Sequence, residues 1–146
     1  MEEFRETCRE NAIDGSYLKV TGFNIRRHFV HIDGFLSILQ SSEYVPDVCV
    51  LVETWLTNEN RDAATIEGYD NIHVTRELEV SGGVSLHWRN DMSVTILSDL
   101  SVCNIFIETC SIEVRFPSDV FIIIGIYRPH SGNVDGFIDE LTTIFF

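Results

Sequence analysis

Two periods of apolar residues run along this chain, and the switches between them mark out its elements. Residues 18–25 read as a first strand. Ile32, Phe35, Leu36 and Leu39 then recur at i, i+3, i+4 and i+7, one face of an α-helix. Pro46 ends that segment, because the residue before a proline avoids helical geometry. Val48 to Val52 follow at once as an uninterrupted apolar run, Val-rich and too short for a helix, which suits a buried strand. Strand, helix and strand in this order predict a βαβ unit with the two strands parallel.

Residues 57–68 are polar and read as a loop, and 69–75 as a short strand. Ser81-Gly82-Gly83 is a turn or bulge before an alternating strand over 84–88. Residues 106–116 also alternate, with Phe106, Glu108, Cys110, Ile112, Val114 and Phe116 on one face. Glu108 is the charged exception in that set. Pro117-Ser118-Asp119 is a turn, and 121–126 is predicted to be a fully buried strand ending at Tyr127-Arg128-Pro129. Val134, Phe137, Ile138, Leu141, Ile144 and Phe145 continue one helical face, with Asn133 as N-cap. Residues 1–16 read as a solvated polar leader. The helical pattern is still running at Phe145-Phe146, so residues 17–146 are expected to be the N-terminal part of a larger domain, truncated at its C-terminus.

A chain of 146 residues can bury a sizeable core. Its charge of −13 argues against a protein that coats a nucleic-acid backbone, which is normally basic. It leaves room for a metal-dependent nuclease, whose centre needs acidic groups. Cys8, Cys49, Cys103 and Cys110 form no C-x-x-C pair, so reduced thiols in an intracellular protein, nuclear or cytoplasmic, are expected. The polar N-terminus is not a secretory signal. The longest apolar run, 120–126, falls far short of the ~20 residues of a membrane helix, so no membrane partner is expected.

Candidate chemistry gathers at strand ends. Glu53 follows the run Val48–Val52, and open α/β sheets bind ligands at the carboxyl ends of their strands. Asn24 lies near the end of the first strand; neighbouring strands lie ~4.8 Å apart, so both side chains would reach one point. An amide beside a carboxylate can hold a hard cation while leaving positions for water, as Mg²⁺ prefers. The alternative is a turn asparagine and an exposed strand-end charge. Tyr127 and Arg128 end a later strand and could contact a phosphate; equally, they could be a corner tyrosine and a solvated arginine. Arg76 and the glycine pair are weaker candidates. His28, His31, His73, His87 and His130 show no metal-ligand spacing, and His28 and His31 are expected to flank the first helix.

FNIR at 23–26, PDVCVLVETWL at 46–56, SGGVSLHWRN at 81–90 and IIGIYRPHSGNVDGF at 123–137 occur in an order and spacing that resemble the endonuclease/exonuclease/phosphatase superfamily. The ETWL and YRP segments look like its branch in animal non-LTR retrotransposons. The resemblance implies an α/β (α+β) fold, here a partial four-layer αββα sandwich. It implies Glu53 as a ligand of a catalytic Mg²⁺ (or Mn²⁺), Asn24 positioning metal or phosphate, and Tyr127 near the scissile phosphate; Arg76 and Arg128 stay candidate phosphate contacts on their positions alone. It implies DNA as the partner of intact relatives. The family's general base is a histidine held by an aspartate, and an Asp-x-Asn pair orients the phosphate. This chain contains neither an Asp-x-Asn nor an Asp-His sequence. Three functions follow as expectations: an endonuclease-like domain inactive on its own that binds metal weakly, a non-enzymatic interaction module or decayed fragment that self-associates through exposed core, or a phosphatase-type member.

Overall fold

The run Val48–Val52 is strand β2, and the first sheet is built around it. The structure, a computed structural model, describes residues 17–77 and 81–146. The polar leader 1–16 lies outside the described residues. In chain order the elements are β1 (Val20–Asn24), α1 (His28–Ser41), β2 (Val48–Val52), β3 (Tyr69–Val74), β4 (Val84–Arg89), β5 (Ser93–Ile96), β6 (Glu108–Arg115), β7 (Val120–Tyr127) and α2 (Val134–Phe145). The first sheet has the order β1-β2-β4-β3, the second β5-β6-β7. β1 and β2 are parallel neighbours, with Val20 opposite Val48 and Asn24 opposite Val52. The βαβ unit predicted from the pattern is therefore present, and every other pairing is antiparallel.

Helix α1 lays Phe35 and Leu39 on the outer face of the first sheet, against Cys49, Leu51 and Ile66. The opposite face carries Val48, Val84, Leu86 and Trp88 onto Cys110, Ile112 and Val114 of β6, forming the core between the sheets. Leu51, Leu86 and Ile112 are wholly removed from solvent; each such side chain stabilises the fold by roughly 1.5–3 kcal/mol. The sheets approach closely at Gly125, where a Cβ would stand 2.8 Å from methyl groups of both Val50 and Val84. The outer face of β6 explains its buried polar residues: the hydroxyls of Thr109 and Ser111 donate to the carbonyl of Leu100, 2.8 and 2.9 Å away, in the short turn Ser98–Leu100.

Several expectations need correction. The strand expected over 121–126 is not fully buried. Among the described residues β7 pairs with β6 alone and forms the sheet's edge, and Val120, Phe121 and Ile122 are exposed. An apolar run specifies strand, not depth. The strand expected from 106 begins at Glu108, because Asn104 Oδ1 accepts from the amides of Phe106 and Ile107 and holds them in a turn. β5 is a further strand that the pattern does not single out. Helix α2 is capped as expected, Asn133 Oδ1 accepting from the Gly136 amide at 2.7 Å, but none of its residues is buried. His28 is the first residue of α1 and buried, whereas His31 lies exposed within the helix.

Candidate active-site rim

Because β1 and β2 run parallel in register, their carboxyl ends finish side by side. Asn24 closes β1, and Glu53 follows the last residue of β2. Both chains then leave the sheet through left-handed backbone: φ is +39° at Arg26, +80° at Arg27 and +54° at Glu53 and Trp55. Non-glycine residues in this region cost on the order of 1–3 kcal/mol each and persist only where the surroundings impose them. Here hydrogen bonds impose them from both sides. The amides of Arg27 and His28 donate to the carbonyls of Glu53 and Thr54 at 2.9 and 2.8 Å, while Thr54 and Trp55 donate to Gly83 and Gly82 at 3.3 and 2.9 Å. The Arg27 guanidinium also lies 5.0 Å over the Trp55 ring. Gly83 itself has φ +90°, and a Cβ there would stand 2.5 Å from Thr54 Oγ1, so this approach requires glycine.

The rim borders a cavity of about 680 Å³ into which Asn24, Glu53, Arg76 and Tyr127 converge, with Arg26 and His130 at its edge. The Tyr127 hydroxyl donates to Glu53 Oε1 at 3.1 Å. Burial, and then the Glu53 carboxylate, push that phenol up to about 12, so it remains a donor at neutral pH. His130 Nε2 lies 3.7 Å from the same oxygen but is largely exposed. Arg128 is not among the residues lining the cavity; its Nη1 donates to the Gly132 carbonyl at 2.9 Å. Four of the five residues singled out in the sequence thus meet at one cavity, and the fifth does not.

A further carboxylate stands behind the cavity. Glu108 is wholly buried, ion-paired to Arg76 Nε through Oε1, and accepts from the Gly83 amide through Oε2 at 2.5 Å. The signal was in the sequence: a carboxylate at an inward position of an alternating strand must find buried partners.

On the far face of the first sheet, three histidines from α1, β3 and β4 come together. His28 stacks on His87 with ring centroids 5.8 Å apart, and His73 meets His87 edge-on at 5.4 Å. His73 Nδ1 shares a hydrogen bond with Ser85 Oγ at 2.7 Å. Burial lowers all three, His73 to about 4 and His87 well below its ordinary range, so they are neutral at pH 7.

Among the described residues, no group of three or more His, Cys, Asp or Glu side chains could hold a metal ion. The described residues lining the cavity offer one carboxylate, Glu53, and one amide oxygen, Asn24, instead. That donor set does not suit Zn²⁺, which takes three or four nitrogen, sulfur or carboxylate ligands. It fits a hard cation that keeps several waters and shares the phosphate oxygens of a ligand.

No family model matches the sequence, and no curated protein matches it. Solved structures do match the fold. The endonuclease domain of TRAS1, a telomere-specific non-LTR retrotransposon, is similar with TM-score 0.66 at 9% identity, over 87% of this chain and 53% of that one. The AP endonuclease LMAP from Leishmania major is similar with TM-score 0.58 at 14% identity, over 84% and 43%. D. rerio TDP2, solved with a single-strand DNA product, is similar with TM-score 0.54 at 14% identity, over 88% and 53%. The chain shares the two-sheet α+β fold of these structures, and it spans about half their length.

Proposed function

We propose that this chain carries the cation-holding and phosphate-facing part of a phosphodiesterase site of the endonuclease type, with DNA as the substrate of its intact relatives. The observation that carries the reading is the meeting of Asn24, Glu53, Arg76 and Tyr127 at one cavity. Among the described residues lining that cavity, Glu53 supplies the only carboxylate. Its orientation is held by the Tyr127 hydroxyl. The Asn24 amide completes an oxygen pair at the strand ends, and Arg76 brings positive charge to the cavity while anchored on Glu108. A Mg²⁺ or Mn²⁺ ion bound there would offset the charge of a scissile phosphate. The Asp-x-Asn and Asp-His sequences that relatives use for phosphate orientation and general-base catalysis are not among these 146 residues.

General acid–base catalysis contributes about 10²–10⁴-fold, and lost positioning multiplies the deficit. Little or no Mg²⁺-dependent nicking of supercoiled plasmid is therefore expected from these residues alone. Robust nicking abolished by Glu53→Ala would overturn the idea of a partial site. A second reading, a non-enzymatic interaction module, is favoured by the exposed apolar margin of Val120, Phe121 and Ile122 on β7 and Val134, Ile138 and Phe145 on α2. Light scattering separates the two: association that is lost in Ile122→Lys favours the module.

A further inference from the structure

We infer that Glu108 is a positioning residue for the rim, a buried carboxylate that joins the two sheets behind the cavity and fixes Glu53 from two directions. This deepens, and rests on, the reading of Glu53 as the cation-holding carboxylate. Glu108 is the first residue of β6 in the second sheet and is wholly buried. Its Oε1 takes Arg76 Nε, two residues beyond the end of β3 in the first sheet. Its Oε2 takes the Gly83 amide, at the entry to β4.

Two routes lead from there to Glu53. The first is backbone: the carbonyls of Gly83 and Gly82 accept from Thr54 and Trp55, which follow Glu53 through the left-handed turn that presents it. The second runs across the β6–β7 ladder, where Glu108 stands opposite Tyr127, whose hydroxyl donates to Glu53 Oε1. The fit tolerates no bulk, since a Cβ on Gly82 would stand 2.7 Å from Glu108 Oε1. An inter-sheet contact needs only apolar bulk, and a buried carboxylate carries a desolvation penalty that an apolar side chain avoids. What the carboxylate adds is direction: two oxygens hold a guanidinium and a glycine amide in fixed relation to the cavity.

The test uses the whole chain and its Glu53→Ala, Glu108→Gln and Glu108→Leu variants. Mn²⁺ binding is followed by electron paramagnetic resonance, and amide hydrogen exchange is measured residue by residue. Residues that orient a metal ligand from behind typically change affinity by about 10–100-fold when replaced. Glu108→Leu is expected to weaken Mn²⁺ binding by about that factor and to speed exchange at Thr54 and Trp55. Glu108→Gln, whose amide oxygen can still accept from Gly83, is expected to recover part of both; it carries the test if the leucine variant does not fold. Folded Glu108 variants with unchanged Mn²⁺ affinity and unchanged exchange at Thr54 and Trp55 would overturn the inference. If Glu53→Ala leaves Mn²⁺ binding intact, the cation reading falls instead, and exchange at Thr54 and Trp55 alone decides whether Glu108 positions the rim.

Discussion

Two buried polar clusters sit on opposite faces of the first sheet and solve burial in opposite ways. Beside the cavity, the buried Glu108 carboxylate is met by the Arg76 guanidinium and the Gly83 amide. Behind helix α1, His87 has no hydrogen-bond partner for either ring nitrogen among the described residues, and burial lowers it well below its ordinary range. A charge can stay in the interior if its partners are fixed in place; a histidine without them gives its charge up. The first arrangement builds a directed site. The second builds a core that tolerates imidazole only while it is neutral.

The contrast breaks most sharply at Arg76. Removing one member of a buried ion pair leaves the other uncompensated and costs about 3–5 kcal/mol. Arg76→Met is expected to lower the denaturant unfolding free energy by that amount, and adding Glu108→Leu to recover much of it. A loss below about 1 kcal/mol, the range of exposed pairs, would mean the rim pair is no more than a surface contact.

The histidine cluster predicts a smaller, pH-dependent effect. Well above pH 6.5 the histidines are neutral in both folded and unfolded chains and contribute nothing. As pH falls from there toward 4, the unfolded chain takes up protons that the folded chain refuses, because burial holds His73 at about 4 and His87 lower still. Stability should therefore fall through that window, by on the order of 2–3 kcal/mol for His73 at its lower end. Denaturant midpoints recorded across the window measure this, and His87→Phe should flatten the decline. An equal decline in that variant would remove His87 as a cause.

Much of this architecture was legible in the sequence because its signals are local. The βαβ unit follows from a helical period between two apolar runs, and the placing of Asn24 and Glu53 follows from the rule that parallel strands end together. What escaped is non-local. His28, His73 and His87 belong to three elements, and only strand order brings them together. Tyr127 and Arg128 are adjacent in sequence, yet Arg128 is taken by the Gly132 carbonyl in the following turn and Tyr127 reaches Glu53. The run at 121–126 announces a strand but not that it will stand at a sheet edge. Glu108 announced a broken pattern, and only the folded chain supplies Arg76 and Gly83 as its partners.

The smallest effect on stability belongs to the residue with the largest proposed role. Glu53→Ala removes one partly exposed hydrogen-bond acceptor and should change unfolding free energy by no more than about 1 kcal/mol. Its effect on cation binding tests the central claim. Calorimetric titration of the whole chain with Mg²⁺ is expected to show weak binding, as suits one carboxylate and one amide, and to show none in Glu53→Ala. Equal Mg²⁺ affinity in the two proteins would contradict the rim as a cation site.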